Sequence, residues 1–419
     1  MKILVLDEEF PWPIHSGKRT RSFNLYRRLA RAADVVYVAH TDDTGEAEPA
    51  LQEVGIRTVA VDRTLPPNAG PAFYARLVRN LFSPRPYMAA RHYSRAYDRV
   101  VRRVAREDPD VVIAEWTPYA LFFDALPRSV PRIVSTHNVE SDIWLRYYRN
   151  ETRAVRRLYM NLQWRKVRAF ERAMLADAAG ATAVSDIDAA RLRAWCPQLT
   201  VESIDNGVDL EYFHPSGESG NPDRLVFTGS MDWRPNQDAA HFFADEILPA
   251  LRAAAPAFEC AFVGRWPSPD VIALGRRAGI EITGTVDDVR PWIAGAGIYV
   301  VPLRIGGGTR LKILEALAMG KAVVSTGVGA EGLDIEDGVH YLRADDPDGF
   351  VAATLRLRGD AELRARLGHS GRERVVTRYG WDALAARFAG FLADRVAVVT
   401  GTGSTSSGPV AGIREAASR

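Results

Sequence analysis

The stretch IYVVPLRIGGGTRLKILEALAMGKAVVST, residues 298–326, contains one full repeat of an α/β fold. IYVVPL is a short β-branched apolar run, the kind buried on both faces of a parallel sheet. Gly306, Gly307 and Gly308 interrupt it. A helix then starts at Thr309 or Arg310, with apolar positions at Leu311, Leu314 and Leu317, and runs to about Met319, where Gly320 stops it. KAVVST begins the next strand. Glycines allow a backbone to approach an anion closely, and the first amides of the helix point at it. Arg310 and Lys312 could add charge-assisted bonds of about 1.5–3 kcal/mol each. Glu315 sits one turn on from Leu311, on the face of Lys312. A carboxylate there repels phosphate but accepts two hydrogen bonds from a vicinal diol, so the group suits a nucleoside diphosphate with its ribose. Taken alone, the turn reads more simply as a glycine-rich connection, because P-loop spacing is missing.

The same rhythm extends in both directions. KILVLD (2–7), VVYVAH (35–40), RTVAVD (57–62), DVVIAE (110–115), RIVSTH (132–137) and GATAVS (180–185) read as buried strands with helical patterns between them, the longest from about Ser141 to Asp177. After the break HPSGESGNPD (214–223) a second series follows: RLVFTG (224–229), AFVG (261–264), IEITG (280–284), IYVVPL (298–303) and KAVVST (321–326). Two βα series joined by a linker imply two doubly wound parallel-sheet, Rossmann-like domains facing a central cleft, with ligands beyond the carboxyl ends of the strands. The tail after Val399, TGTGSTSSGPVAG, is low in complexity and reads as disordered.

Composition limits the function classes. A chain of 419 residues with 47% hydrophobic and 25% charged residues is a soluble globular protein of two or three domains. MKILVLDEEF offers an apolar run too short for a signal peptide, and no stretch is long and apolar enough to cross a bilayer. Cys196 and Cys260 lack metal-like spacing, which points to a reducing cytoplasm. Residues 1–200 carry 31 Lys and Arg against 23 Asp and Glu. Nine arginines fall between Arg76 and Arg106, and nine cationic residues between Arg146 and Arg172. These are solvated helix faces or a surface for a polyanionic acceptor or an anionic leaflet; Phe73, Tyr74, Phe82, Tyr87, Tyr93 and Tyr97 interleave the first group, which suits an interfacial helix pair. Nucleic acid fits less well, since no recognised binding motif accompanies the charge. A dinucleotide oxidoreductase is disfavoured, because no G-x-G-x-x-G follows a strand.

Several segments in order, NGVDLEYFHP (206–215), FTGSMDWRPNQDAA (227–240), VGRWP (263–267), ITGTVDDVRPWIAGA (282–296), 306–319 and GKAVVSTGVGAEGL (320–333), resemble the nucleotide-sugar half of family 4 glycosyltransferases of the GT-B fold. PWPIHSGKRTRSFNLYRRLA (11–30) and STHNVESDIW (135–144) resemble that family's glycine loop and active-site histidine segment, and RYGWDALAARFAGFL (378–392) its closing helix. The resemblance covers about residues 1–395. It implies an acceptor-side domain over 1–205, a nucleotide-sugar domain over 206–377, and a helix over 378–397 crossing back to the first domain, with 398–419 left as a tail. It also implies a retaining transfer of a sugar from a nucleoside diphosphate to a saccharide, lipid-linked or other small acceptor, in cell-surface polysaccharide or glycoconjugate synthesis. No cofactor or metal is expected, because helix N-termini and cationic side chains neutralise the leaving diphosphate.

On that basis Arg310 and Lys312 are the candidates for leaving-group stabilisation, with Arg265 third, and His137 is the candidate beside the acceptor hydroxyl. Gly17, Lys18 and Arg19 lie in the first glycine loop. Gly229, Ser230, Gly306, Gly307, Gly308, Thr309 and Glu315 line the donor side, with backbone contacts to the base around Thr283 to Val286. Two departures stand out. Many relatives carry a pair of glutamates eight residues apart, and here Glu315 matches the second while Gly307 stands at the first. Many also carry an Arg and a Lys where this chain has Ser230 and, near the second position, Pro235 and Asn236. A nucleotide-sugar 2-epimerase of the same fold, or a nucleotide-sugar-binding protein without activity, remain alternatives. The expected location is cytoplasmic, at the inner face of the plasma membrane if the basic surface meets lipid.

Overall fold

The computed structural model describes residues 1–14, 16–41, 45–62, 69–217, 220–305 and 311–401. The chain divides into two units, Met1–Asp205 with Leu384–Arg419, and Asn206–Ala383. In the first unit β1 (Lys2–Glu9), β2 (Asp34–His40), β3 (Ile56–Val61), β4 (Val111–Ala114), β5 (Arg132–Ser135), β6 (Gly180–Ala183) and β7 (Val201–Ser203) form one parallel sheet, ordered β3-β2-β1-β4-β5-β6-β7. In the second, β8 (Asn221–Thr228), β9 (Glu259–Val263), β10 (Glu281–Ile282), β11 (Ala296–Val301), β12 (Ala322–Ser325) and β13 (Leu342–Arg343) form another, ordered β10-β9-β8-β11-β12-β13. Both orders reverse beside their first strand, the doubly wound arrangement whose switch point opens a ligand crevice at the carboxyl edge.

The first unit carries α1 (Gly17–Leu29), α2 (Ala47–Glu53), α3 (Pro71–Leu81), α4 (Tyr87–His92), α5 (Arg95–Val104), α6 (Glu140–Asn150), α7 (Ala154–Ala176) and α8 (Asp186–Trp195). The second carries α9 (Arg234–Phe242), α10 (Leu248–Ala254), α11 (Pro269–Ala278), α12 (Arg290–Gly295), α13 (Leu311–Ala318), α14 (Pro347–Gly359) and α15 (Ala361–Tyr379); α16 (Trp381–Thr400) lies in the first unit from Leu384 on. Strands such as VVIA in β4 and AGIYVV in β11 are buried along their whole length, which is why they read as continuous apolar runs. Each fully buried Val, Leu or Ile there contributes about 1.5–3 kcal/mol.

Three expectations need correction. The long helix expected over Ser141 to Asp177 is two helices, α6 and α7. Glu151 and Arg153 are extended, and the Glu151 carboxylate accepts the Arg153 amide at 2.9 Å, so the chain turns back on itself. Tyr148 then stacks on Trp164 at 6.2 Å, making an antiparallel helical hairpin. The short edge strands β7 and β13 were not expected from the sequence, since two or three residues carry too little apolar signal. The strand expected over 280–284 shrinks to Glu281–Ile282, because Gly284 adopts a φ of +71°.

Candidate functional site

At the carboxyl edge of the second unit, the turns after β8 and β9 touch. A Cβ on Gly264 would stand 1.8 Å from the Gly229 carbonyl oxygen, so only glycine permits the contact. A Cβ on Gly229 would lie 2.7 Å from both Asn236 Nδ2 and Lys312 Nζ, so these two side-chain ends close directly over the turn. Asn236 is buried in the first turn of α9, donates to the Ser230 carbonyl at 2.8 Å and accepts from Lys312 Nζ at 2.8 Å. The Lys312 ammonium also sits 4.0 Å from the centre of the Phe227 ring. Lys312 thus lies against the glycine turn, bonded to Asn236.

Arg265 follows Gly264. Its Nε donates to Ser230 Oγ at 3.2 Å, and its guanidinium lies 4.3 Å from the Trp266 ring. Ser230 Oγ in turn donates to Asp232 at 2.6 Å. Trp233 and Trp266 are both exposed. Glu315, half-buried on α13, has no side-chain hydrogen-bond partner among the described residues. Burial pushes its carboxyl up to about 7, with Lys312 acting in the opposite direction. The Thr283 amide donates to the Phe262 carbonyl at 3.2 Å, and Val286 is packed against the core, which leaves that loop's backbone at the edge. Gly306, Gly307, Gly308, Thr309 and Arg310 lie outside the described residues.

The first unit builds a different centre at its own carboxyl edge. The register Leu6↔Ala114↔Val134 places Asp7 and Glu115 side by side at the strand ends, with His137 two residues beyond β5. Ser16 caps α1, and a Cβ on Gly17 would meet nothing within 4 Å, so the loop opens onto free space there. Lys18 and Arg19 of that loop are paired with Asp7 at 2.6 Å and Glu9 at 2.5 Å. Burial alone would lower the Lys18 ammonium, but Asp7 against it holds it above its ordinary value.

His137 Nε2 stands 3.3 Å from Oε1 of the fully buried Glu115. Ser22 Oγ donates to the same oxygen at 2.9 Å, and the Tyr26 hydroxyl donates to Oε2. Burial would raise the Glu115 carboxyl, but His137, Arg21 and Tyr26 outweigh it and hold it below the ordinary value. Beside this group Trp116 Nε1 donates to Glu140 at 2.9 Å. Glu171 of α7 accepts the amides of Glu140 and Ser141 at 2.8 and 3.0 Å, neutralising the start of α6; burial pushes Glu171 up to about 7.

A separate surface of this unit is inverted relative to an ordinary amphipathic helix. The outward side of α3 and its C-terminal residue carry Tyr74, Val78, Leu81 and Phe82, all exposed, the last by 87%. The inward side carries the buried Asn80, which accepts from Gln163 Nε2 at 2.9 Å and whose carbonyl accepts from Lys166 at 2.7 Å. Val155 and Leu158, at the start of the same α7, are exposed by 83% and 71%. Arg79, Arg85, Arg153, Arg156 and Arg157 surround these apolar groups in sequence. Among the described residues, no helix is long and apolar enough to cross a membrane.

The sequence model described as Glycosyltransferase Family 4 matches residues 15–212, and that described as Glycosyl transferases group 1 matches residues 222–360. The chain belongs to the group 1, family 4 glycosyltransferases. Among relatives, the phosphatidyl-myo-inositol mannosyltransferase of Mycolicibacterium smegmatis is 31% identical over 218 residues, covering 50% of this chain and 55% of the relative. The chain therefore spans about half the length of the curated relatives it matches. Anabaena HepE in complex with UDP superposes with a TM-score of 0.66 at 14% identity, over 94% of this chain and 100% of that one. Sucrose-phosphate synthase from Thermosynechococcus elongatus gives 0.65 at 18% identity, over 95% and 100%. These likenesses establish the GT-B fold of this glycosyltransferase-family chain.

Sequence reasoning missed Glu115, Tyr26 and the Asn236–Lys312 bond in the family 4 chain. A signal for Glu115 existed: DVVIAE ends an otherwise apolar buried strand on a charge, which is costly unless the charge is satisfied. Tyr26 carried no such mark, because a tyrosine on an apolar helix face reads as core.

Proposed function

We propose that this protein transfers a sugar from a nucleoside diphosphate to a saccharide, lipid-linked or other small acceptor hydroxyl, with retention at the anomeric carbon, in the synthesis of a cell-surface polysaccharide or glycoconjugate. The observation that carries the reading is the grouping of Gly229, Ser230, Arg265, Lys312 and Glu315 at one carboxyl edge. Two glycine turns there let a diphosphate approach backbone, a lysine lies against the turn, and a carboxylate that no described residue bonds sits one helical step away for the ribose diol. The main task in such a transfer is stabilising the departing diphosphate, and fixed cations and amides in a partly buried site do this without reorganising. Lys312, delivered to Asn236, takes the place of the cation that many relatives carry there, and Arg310 supplies the second charge. The chemistry needs no metal on this account. His137 serves the acceptor hydroxyl from the first unit. The name of the mycobacterial relative, a phosphatidyl-myo-inositol mannosyltransferase, supports an acceptor carried on a lipid.

A thermal-shift panel of UDP, GDP, dTDP and ADP, then of their sugars, tests the donor side. One diphosphate is expected to stabilise the chain well above the others, and no shift with any would contradict the reading. We also propose that the apolar outer side of α3 and the start of α7, flanked in sequence by arginines, rests on an anionic cytoplasmic leaflet. Flotation with phosphatidylglycerol vesicles at low salt tests this; binding is expected, and its absence would count against the surface.

A further inference from the structure

We propose that Glu115 is a positioning residue for His137: it fixes the imidazole with its proton on Nε2 and leaves Nδ1 as the nitrogen that meets the acceptor hydroxyl. The proposal rests on the reading of His137 given above. Glu115 ends β4, is fully buried, and its backbone amide donates to the Leu6 carbonyl at 2.9 Å, so its place is set by the sheet. Its carboxyl is clamped by two hydroxyls one helical turn apart on α1, Ser22 at 2.9 Å and Tyr26. Hydroxyl donors at both oxygens favour the acceptor-only, ionised form of the carboxyl.

His137 Nε2 faces that carboxylate at 3.3 Å, close enough for attraction but without the alignment of a formed hydrogen bond. A lone pair on Nε2 would face another acceptor and be repelled, whereas an N–H there is attracted. In a neutral imidazole only one nitrogen carries hydrogen, so Nδ1 is left as an acceptor. Nδ1 has no hydrogen-bond partner among the described residues. The other charged or titratable groups around the pair are Asp7 from β1, Tyr37 from β2, Lys18, Arg21 and Tyr26 from α1, and Glu140 from α6. Lys18 is held by Asp7, and Arg21 NH1 by the Asp205 carbonyl at 2.7 Å, so neither cation takes Glu115 away from the histidine.

The test is the tautomer of His137, read by two-bond proton–nitrogen correlation on protein labelled with nitrogen-15 histidine and assigned with His137→Ala. The wild type is expected to show hydrogen on Nε2 at a pH where imidazoles are neutral. Glu115→Gln, whose amide can present either N–H or C=O, is expected to mix the tautomers. In the same variant kcat should fall about 10–100-fold, the usual cost of losing an orienting partner, with the donor KM little changed. Hydrogen on Nδ1 in the wild type, or an unchanged tautomer in Glu115→Gln, overturns the proposal. Should Glu115→Gln fail to fold, the wild-type tautomer still decides. Full turnover in His137→Ala would instead sink the acceptor-side reading while leaving the tautomer result standing.

Discussion

Replacing Glu315 with glutamine should remove a pH dependence in which nucleotide affinity and stability move in opposite directions. Burial raises the Glu315 carboxyl from 4.5 to about 7. Between those values the native state holds a proton that the unfolded chain has released, so stability contributed by this site falls as pH rises and stays low above 7. A shift of that size corresponds to about 3 kcal/mol at most. Glu315→Gln, neutral at every pH, should therefore unfold like the wild type near pH 4.5 but be more stable by up to that amount at pH 8. Binding reverses the sign. A ribose diol donates two hydrogen bonds, which favours the carboxylate, so the wild type should lose affinity as pH falls through about 7. At pH 8 the variant should bind the preferred diphosphate about 10–100-fold more weakly, the loss of a charge-assisted bond. At pH 5.5 the two proteins should converge. Isothermal titration at both pH values, with wild type and variant side by side, cancels the phosphate's own titration, and comparing denaturant curves cancels the similar contribution from Glu171. A wild-type/variant affinity ratio that is flat with pH would refute the assignment of Glu315 to the ribose.

Neutralising Arg310 and Lys312 together should abolish turnover, each loss being of the order of 10²–10³ in kcat; wild-type rates in that double variant would rule out their role at the leaving group. Gly264→Ala places a Cβ 1.8 Å from the Gly229 carbonyl oxygen, which cannot yield without moving the turn. Its melting midpoint should drop by an amount reflecting about 1–3 kcal/mol of overpacking, and diphosphate affinity should drop with it. Treating the enzyme with EDTA and assaying transfer should leave the rate unchanged; loss restored by added divalent cation would contradict leaving-group neutralisation by the chain's own cations.

Most of the fold could be read in advance because its strands are buried on both faces. VVIA, RIVS and AVVS need no partner to look like strands. The edge strands β7 and β13 are two or three residues long, and their existence is decided by a neighbour's register rather than by their own residues. The break between α6 and α7 was hidden for a related reason. Its residues are ordinary helix formers, and what ends α6 is a long-range packing of Tyr148 on Trp164 with a local Glu151 hydrogen bond. At the carboxyl edge of the second unit, residue types marked Gly229, Ser230, Lys312 and Glu315, since glycines, a cation and a carboxylate at fixed offsets carry chemistry. The fate of Lys18 and Arg19 was not legible, because their partners Asp7 and Glu9 lie about ten positions earlier and meet them only once β1 and α1 pack. Glu115 was marked by its charge at the end of a buried strand, but its partners, two hydroxyls from α1 and a histidine past β5, meet it only once those elements pack.

The central claim is sugar transfer with retention. Each of the UDP-, GDP-, dTDP- and ADP-sugars should be incubated with the protein and followed by proton NMR of the anomeric signals. The account predicts that one donor is consumed, that its nucleoside diphosphate appears, and that the released or transferred sugar first forms with the donor's anomeric configuration. An inverted first product, a donor converted to its 2-epimer, or every donor left intact in the presence of lipid-linked and saccharide acceptors would contradict it.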